Sequence, residues 1–224
     1  PSEKLKLIAW LNASMQTGIS NPLDDAIISL DHPGAEVYDK VDEIPYDFIR
    51  KRLTIVTRDI KNTKLMITKG ALQNVLEVCN QIEVDDILQP LDNDRLASIN
   101  QKFENWSAQG YRVLGIATRN LETMQTDFHA EDERDMAFTG FLLFLDPPKE
   151  GVEETIKSLE KLGVKLKIIT GDNKLVSRHI SQSVGLTDDR LITGDELNNT
   201  SDEALLHIVE NYTIFAEVDP NEKE

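Results

Sequence analysis

The segment KLKIITGDN (165–173) decides the fold of the carboxyl-terminal part of this chain. An apolar strand runs directly into a hydroxyl, a glycine and a carboxylate, and a helix pattern begins at once. At the carboxyl edge of a parallel sheet, this order places the Thr170 hydroxyl and the Gly171 amide where a phosphoryl group can be held. Asp172 equally fits as the N-cap of the following helix, and the segment alone does not separate the two interpretations.

Strand-like and helix-like runs alternate on both sides of this segment. The strand patterns lie at 138–145, 164–170, 191–192 and 213–216, and the helix patterns at 150–162, 174–184 and 202–210. Such alternation is typical of a parallel, doubly wound sheet. Asp146, Pro147 and Pro148 end the first strand as a stiff joint, because each proline fixes its backbone and lacks an amide donor. We therefore predict two domains, 1–141 and 142–224.

The preceding residues follow a different pattern. Residues 3–31 indicate two helices, short β-type runs follow at 37–38, 53–57 and 65–68, helices at 70–79 and 92–109, and a further strand at 112–118. A turn at 61–63 joins two of these strands as a hairpin, and the acidic stretch 119–136 indicates a solvated loop. The pattern predicts an antiparallel sheet flanked by helices, so the whole chain is α/β with an α+β first domain.

The composition excludes several classes of function. The 224 residues contain 40 Asp and Glu against 24 Lys and Arg, a formal charge of −16, and such a surface repels nucleic-acid phosphates and anionic lipid. We therefore expect no nucleic-acid partner and no direct membrane contact. No stretch reaches the ~20 apolar residues of a spanning helix. The single cysteine, Cys79 in the apolar run 75–79, is expected to be a buried thiol in a reducing compartment.

The familiar nucleotide and metal motifs are missing from the sequence. It contains neither GxxxxGK(S/T) nor GxGxxG, and neither HExxH nor CxxC, so a P-loop is excluded and no metal site is predicted. Two other segments have binding character. Lys69 ends a strand beside Gly70 at a helix start, which suits an anion, although a surface lysine gives the same pattern. The segment PYDFIRKR (45–52) interleaves aromatics with cations, which suits a purine and its phosphates and equally fits an edge strand.

Seven segments, taken in order, resemble the landmarks of the P-type ATPases. They are NPLDDAI (21–27), EIPYDFIRKRLTIV (43–56), TKGA (68–71), GYRVLGIATR (110–119), DPPKEGV (146–152), KIITGDN (167–173) and FAEVDPNEK (215–223). The likeness covers essentially the whole chain, and the segments at 9–27 and 140–150 are most similar to the magnesium-transporting branch. The resemblance implies a complete nucleotide-binding domain followed by part of a haloacid-dehalogenase-like phosphorylation domain.

The resemblance also implies roles for individual positions. The residues implied to bind the nucleotide are Asp24 at the adenine side, Tyr46 stacked on adenine, Lys51 and Lys69 in the ATP pocket, Gly70 at the close approach of the nucleotide, Arg112 near the phosphates and Asp146 at the hinge between the domains. The residues implied to act on the phosphoryl group are Thr170, Gly171 and Asp172, which match the second phosphate-binding motif of haloacid-dehalogenase-like domains, and Lys223, which offsets charge on the phosphorylated aspartate. ATP and Mg²⁺ are the implied cofactors, since the family transfers the γ-phosphoryl group of MgATP to an aspartate.

The sequence departs from the family in what it lacks. The phosphorylated aspartate, in a DKTGT segment, and the later GDGxND magnesium site are absent, and we expect them before Pro1 and after Glu224. The resemblance implies an integral membrane cation pump, of which this chain is a cytosolic piece that binds adenine nucleotide without turnover. The further partners are then the transmembrane and actuator domains of the pump.

Two rival interpretations stay open. One is a free-standing haloacid-dehalogenase-like phosphatase with a large cap, which needs a DxDx nucleophile near the start that this sequence lacks. The other is a non-catalytic interaction or regulatory module that keeps the fold. A variant of Lys69 separates the second rival from a nucleotide-binding domain, because only the latter loses nucleotide binding.

Overall fold

The computed structural model describes residues 2–18, 21–30, 32, 34–122, 124–186, 188 and 190–219. The helices are α1 (Glu3–Met15), α2 (Pro22–Ile28), α3 (Leu72–Leu76), α4 (Asn93–Ala108), α5 (Val152–Lys161), α6 (Lys174–Ser183), α7 (Gly194–Asn198) and α8 (Asp202–Asn211). The strands are β1 (Asp39–Asp47), β2 (Arg52–Arg58), β3 (Lys64–Ala71), β4 (Cys79–Val84), β5 (Ile87–Pro90), β6 (Arg112–Leu121), β7 (Met136–Phe144), β8 (Ile168–Ile169), β9 (Leu191–Thr193) and β10 (Ile214–Ala216). Single turns of 3-10 helix lie at Ala35–Val37 and Ala130–Asp132.

The chain divides into two compact units. One unit combines Pro1–Ala97 with Val113–Leu143, and the other combines Ser98–Arg112 with Phe144–Glu224. The predicted contiguous division at 141/142 differs from this grouping by placing Ser98–Arg112 in the first domain, and that domain boundary stays a prediction.

The first unit is built on a mixed seven-stranded sheet in the order β1-β2-β3-β6-β7-β4-β5. The pairs β1–β2, β2–β3, β3–β6 and β4–β5 are antiparallel, whereas β4 and β7 are parallel. The predicted α/β class is confirmed, but a wholly antiparallel sheet is wrong at the β4–β7 pair. A hairpin turn at Asp85 and Asp86 joins β4 to β5, and both residues adopt positive φ. Turns of this kind are normally signalled by glycine or asparagine, and two aspartates do not indicate a hairpin, so β4 and β5 are not predicted.

Helix α1 covers one face of β2 and β3. Ser2 caps the helix by accepting a hydrogen bond from the Leu5 amide at 3.2 Å. Leu11 and Asn12 are fully buried on the inner side of the helix, and the Asn12 amide donates to the Ile67 carbonyl of β3 at 2.9 Å. Because side chains alternate along a strand, every second residue of β2 and β3 faces away from α1. The residues on one of the two faces include Arg52, Thr54 and Thr68 as well as the buried Val56 and Met66.

Three predicted elements of the first unit are corrected. The predicted helix at 70–79 shrinks to α3, because β3 continues to Ala71, which is paired with Leu114 of β6. The predicted strand at 37–38 is instead the end of a 3-10 turn. The stretch 119–136 is not a solvated loop throughout, since β6 reaches Leu121 and the side chains of Phe128 and Glu133 are buried. Ladder pairing outweighs local sequence preference at Ala71, and burial does so at Phe128 and Glu133.

The single cysteine begins β4. Cys79 is half-buried rather than fully buried, and its thiol donates to the Val75 carbonyl at 3.1 Å. Burial raises the pKa of the Cys79 thiol to about 12. The thiol therefore stays protonated near neutral pH, which makes it chemically inert.

The second unit contains a parallel three-stranded sheet in the order β8-β10-β9. Ile214 of β10 lies opposite Ile168 on one side and Leu191 on the other. Helix α6 connects β8 to β9, and α7 and α8 connect β9 to β10, as parallel strands require. Ile192 and Phe215 form the centre of the core with Val218, Leu197, Ile208 and Tyr212.

The predicted alternation of strands and helices is confirmed in order, with three differences. The strand predicted at 138–145 does not belong to this parallel sheet; it is β7 of the seven-stranded sheet, because Ala137 and Phe138 pair with β4. β8 has two residues instead of the predicted seven, because only Ile168 and Ile169 pair with β10. The short helix α7 follows β9 directly and has no predicted counterpart; its Thr193 and Glu196 form a capping box. No described helix is both long and apolar enough to cross a membrane.

Candidate functional site

Lys69 and Asp24 form a buried ion pair in the first unit. Lys69 lies near the end of β3 and is 6% exposed, while Asp24 in the first turn of α2 is 3% exposed. The Lys69 ammonium contacts the Asp24 carboxylate directly, and the side-chain amides of Asn21 and Gln16 also donate to that carboxylate. Burial lowers the pKa of Lys69, and the neighbouring Asp24 charge opposes this shift. Two predicted site residues are thereby brought together.

The position of Asp24 follows from local sequence. Asn21 is the N-cap of α2, and its side-chain oxygen accepts hydrogen bonds from the Leu23 and Asp24 amides at 2.9 Å and 3.1 Å. Pro22 occupies the first helical position, where a missing amide hydrogen is harmless. Asp24 therefore lies in the first turn, where the helix dipole favours a carboxylate.

The segment 45–52 forms the end of β1, a tight turn and the start of β2. Tyr46 is 50% exposed, and its ring meets Phe48 edge-on with centroids 5.4 Å apart and an interplanar angle of 88°. Lys51 adopts a left-handed φ of 48°. Its amide donates to the Asp47 carbonyl at 2.7 Å, and its carbonyl accepts from the Ala71 amide at 2.9 Å. The turn is thereby fastened to the end of β3.

Gly70 lies directly opposite Arg52 in the β2–β3 ladder. A Cβ atom at this position would come within 2.6 Å of the Arg52 Cα and would also clash with the Lys51 carbonyl. The close approach of the two backbones therefore requires glycine here. The role that the resemblance implies for Gly70, the approach of a nucleotide, stays a prediction.

The first unit thus gathers five of the predicted residues in one region. Strand pairing puts Asp47 opposite Arg52, and Arg52 opposite Gly70. The residues at this shared end of β1, β2 and β3 are Tyr46, Lys51, Lys69 and Gly70, and Asp24 joins them through its ion pair with Lys69. Exposed aromatic surface and buried positive charge therefore occur at the same end of three adjacent strands.

Arg112 and the TGD residues meet in the second unit. Nη2 of Arg112 lies 2.7 Å from Oδ1 and 3.0 Å from Oδ2 of Asp172. Thr170 follows β8 directly; its hydroxyl donates to Asp172 Oδ2 at 3.1 Å and accepts from the Asp172 amide at 3.1 Å. A guanidinium, a hydroxyl and a carboxylate therefore meet at the carboxyl end of a parallel strand, the edge where open α/β sheets bind ligands.

The structure separates the two interpretations of Asp172. Asn173, not Asp172, caps α6, since its side-chain oxygen accepts from the Leu175 and Val176 amides at 3.0 Å each. The Asp172 side chain instead pairs with Arg112. Gly171 is exposed, and an added Cβ would meet only the Val218 carbonyl at an ordinary 3.6 Å. Packing therefore does not explain the glycine at 171.

The remaining predicted residues are not brought into either group. Asp146 is exposed and lies two residues beyond the end of β7. Lys223 lies outside the described residues. Within the described ranges, no group of three or more His, Cys, Asp or Glu side chains could hold a metal ion.

The sequence interpretation misses the buried carboxylate of Glu133. It accepts hydrogen bonds from Arg50, Arg52 and the Thr54 hydroxyl, on the face of β2 opposite Leu53. An acid within an acidic stretch carries no sign of burial. The available signal lies in β2 instead, because an arginine in a buried strand needs a counter-charge from elsewhere in the chain.

Comparison with known proteins identifies the family. The family described as "P-type ATPase, cytoplasmic domain N" matches residues 26–151. Magnesium-transporting ATPases, P-type 1, of Salmonella typhimurium strain LT2 and Escherichia coli K12 are 37% and 36% identical to the chain over 229 and 228 aligned positions, covering 100% of the chain and 25% of each relative. A calcium-transporting ATPase of Listeria monocytogenes is 28% identical over 214 positions, covering 92% of the chain and 24% of the relative.

The alignments show how much of each relative this chain covers and how much of the chain is matched. The chain spans about a quarter of the length of the magnesium-transporting relatives. The family match covers more than half of the chain, and the alignments to these relatives run through all of it. The chain therefore belongs to the P-type ATPase family and contains its cytoplasmic domain N.

Proposed function

We propose that this chain is the adenine-nucleotide-binding part of a cation-transporting P-type ATPase. The observation that carries the proposal is the grouping of Tyr46, Lys51, Lys69 and Gly70 at one end of β1, β2 and β3. A half-exposed aromatic ring offers a stacking surface for a base, and lysines offer charge to phosphates. Asp24 holds Lys69 in place and supplies an acceptor at the adenine side.

The whole pump, in this proposal, transfers the γ-phosphoryl group of MgATP to an aspartate and then hydrolyses the acyl phosphate while a cation moves across the membrane. Magnesium is the proposed cargo, since the relatives that align with the full chain are named magnesium-transporting ATPases. The chain is then a cytoplasmic part of an integral membrane protein, and its partners are the transmembrane and actuator domains. Catalysis of this kind rests on positioning and charge compensation.

The second unit would contribute on the phosphoryl side. We assign Thr170 and Gly171 to hold the transferred group, with Asp172 and Arg112 orienting them, and Lys223 to offset the charge of the phosphorylated aspartate. The Thr170–Asp172–Arg112 contacts support this assignment. Asp146 and its two prolines would serve as a stiff joint between the domains.

The described residues offer a cation to the phosphates of MgATP but no cluster of metal ligands. Lys69 is a buried cation near exposed aromatic surface, which suits a phosphate. Since no cluster of three metal-ligating side chains occurs in the described ranges, Mg²⁺ would arrive on the nucleotide phosphates, as it commonly does in phosphoryl-transfer proteins. The metal would neutralise phosphate charge once it is bound.

A nucleotide titration of the purified chain tests the proposal. We expect ATP at millimolar concentration to give saturable NMR shifts. The double variant Asp24→Asn/Lys69→Gln replaces the buried ion pair by neutral side chains of similar shape, and we expect it to bind ATP about tenfold more weakly because a charge-assisted phosphate contact is lost. Lys61→Gln, which removes one exposed lysine from the β2–β3 turn, is the control for loss of a lysine at the surface.

The outcomes separate the proposal from its rivals. If the wild-type chain shows no saturable shift, the nucleotide-binding role is wrong and a regulatory module that keeps the fold is favoured. If the wild type binds ATP and the double variant binds it equally well, Asp24 and Lys69 are not part of the binding site. Hydrolysis of simple phosphate esters would favour a haloacid-dehalogenase-like phosphatase.

A further inference from the structure

Glu133 is a buried carboxylate in the connection between β6 and β7. It directly follows the 3-10 turn Ala130–Asp132, and its side chain has no exposed surface. Both of its oxygens accept hydrogen bonds from Arg50 Nη1, at 2.7 Å and 2.8 Å. Arg52 Nε donates to one oxygen at 2.7 Å, and the Thr54 hydroxyl donates to the other at 2.6 Å. The carboxylate is therefore paired with two guanidinium groups.

The burial of charged side chains around Glu133 strongly affects the free energy of this region. Burying a charge is unfavourable unless the charge is paired and hydrogen-bonded, and the loss of one partner leaves the others uncompensated. Arg52 and Glu133 are buried and Arg50 is mostly buried, with only 20% of its side chain exposed. The hydrogen bonds to Glu133 therefore stabilise one mutual arrangement of Arg50, Arg52 and Thr54.

The two arginines connect Glu133 to the backbone on both sides of the 47–51 turn. Arg50 Nη2 donates to the Pro45 carbonyl at 2.8 Å, before the turn. Arg52, after the turn, donates through Nη1 to the Asn74 carbonyl at 2.8 Å. One acid thus links the end of β1, the start of β2 and helix α3.

The turn itself contains a strained residue. Lys51 adopts a left-handed φ of 48°, which is unfavourable for a residue with a Cβ atom and persists only where the surroundings enforce it. Arg50 and Arg52 are its two chain neighbours, and both donate to Glu133. The carboxylate is therefore in a position to enforce the Lys51 conformation.

We propose that Glu133 is a positioning residue for nucleotide binding: through Arg50 and Arg52 it holds Tyr46 and Lys51 in the arrangement that receives the nucleotide. Glu133 cannot touch a ligand itself, because its side chain is fully buried. The inference rests on the proposed nucleotide-binding function. It adds a residue from the acidic connection between β6 and β7, far in sequence from Tyr46, Lys51 and Lys69.

The test compares Glu133→Gln with the matched variant Glu131→Gln. Glu131 is an exposed acid in the preceding 3-10 turn, so both variants lose one negative charge from the same connection. For Glu133→Gln we expect ATP to bind about tenfold more weakly and the amides of residues 48–52 to exchange hydrogen faster in the nucleotide-free protein. For Glu131→Gln we expect wild-type values of both.

A general loss of stability is controlled separately. Ile55→Val removes one methyl group from the fully buried centre of β2 and destabilises the same sheet. We expect this variant to melt at a lower temperature while keeping wild-type ATP affinity and wild-type exchange at 48–52. If it weakens binding as much as Glu133→Gln does, Glu133 is only a structural residue and the proposal is wrong.

A second variant keeps the proposal testable if Glu133→Gln does not fold. Arg50→Lys keeps the positive charge but cannot donate to Glu133 and the Pro45 carbonyl through a planar fork. It leaves the Arg52–Glu133 pair intact, so we expect a folded protein with several-fold weaker ATP binding and faster exchange at 48–52. Wild-type behaviour of this variant would overturn the proposal.

Failure of the proposed function gives a different result from failure of this inference. If the wild-type chain binds no nucleotide, the function is wrong, and hydrogen exchange at 48–52 still decides whether Glu133 holds the turn. Unchanged exchange in a folded Glu133→Gln protein overturns the positioning role. If the wild type binds ATP and Glu133→Gln binds it equally well, the function stands and the inference falls.

Discussion

The buried ion pair of Asp24 with Lys69 contributes both to the stability of the fold and to the proposed nucleotide site. Each partner is almost fully buried, so each charge depends on the other. Removing Lys69 alone therefore has two effects: a cation is lost from the proposed nucleotide site, and the buried Asp24 carboxylate loses its counter-ion. Stability measurements separate these effects.

We predict that Lys69→Gln lowers the free energy of unfolding by about 3 kcal/mol, because Asp24 is left as an unpaired buried charge. The double variant Asp24→Asn/Lys69→Gln should recover most of that stability, since neither side chain is then charged. Urea denaturation measures both values, and Lys61→Gln, at an exposed position, should stay within about 0.5 kcal/mol of the wild type. Equal destabilisation of the single and double variants would show that the pair's charge is not what stabilises this region.

The backbones of β2 and β3 approach so closely at Gly70 that a side chain there would clash. We predict that Gly70→Ala lowers the free energy of unfolding by about 1–3 kcal/mol, because its methyl group would overlap the backbone of Arg52. Gly18→Ala is the control, since an added Cβ there meets nothing within 4 Å, and its effect should stay within about 0.5 kcal/mol. Thermal or urea unfolding of the two variants gives the comparison; a harmless alanine at 70 would mean that the two strands separate easily.

The elements differ in how well the sequence predicts them. Strong local signals suffice for α6, whose apolar periodicity follows directly on the TGD segment although its cap is Asn173 rather than Asp172, and for the β2–β3 hairpin with its turn at 61–63. They fail for β4 and β5, whose turn is made by two aspartates with positive φ. They fail again at β3, where pairing with β6 carries the strand through Gly70 to Ala71. Which strands pair in the folded protein cannot be predicted from local sequence alone.

The contacts of the candidate site also differ in how well they can be predicted from the sequence. The approach of Thr170 and Asp172 could be predicted because the two residues are neighbours in the chain. The ion pair of Asp24 with Lys69 joins residues 45 positions apart, and the resemblance, rather than any local pattern, placed both at the nucleotide side. The need for an acid beside Arg52 could be predicted from β2, but not that Glu133 supplies it, because Arg50 and Arg52 lie more than 80 positions away from Glu133 in the chain.

At the scale of the whole molecule, the chain carries two sets of residues that belong to one proposed reaction. The nucleotide-side residues lie in the first unit, and Arg112 with the TGD residues lies in the second. The 224 residues nevertheless include neither a DKTGT segment nor a GDGxND segment. The aspartate that the proposed reaction needs as acceptor, in a DKTGT segment, is thus not among these residues, whereas the groups proposed to bind the donor are.

We predict that the purified chain binds ATP without turning it over. With MgATP at neutral pH, phosphate release should not exceed that of buffer, and radiolabelled γ-phosphate should leave no acid-stable label on the protein, because no aspartate in a DKTGT context is available to attack. Asp172→Asn is the matched control: a contaminating ATPase gives the same rate in both preparations, whereas turnover by the chain itself would change when the carboxylate bound to Arg112 is lost. Magnesium-dependent release that scales with wild-type protein and falls in the variant would contradict the prediction and would require a nucleophile within these residues.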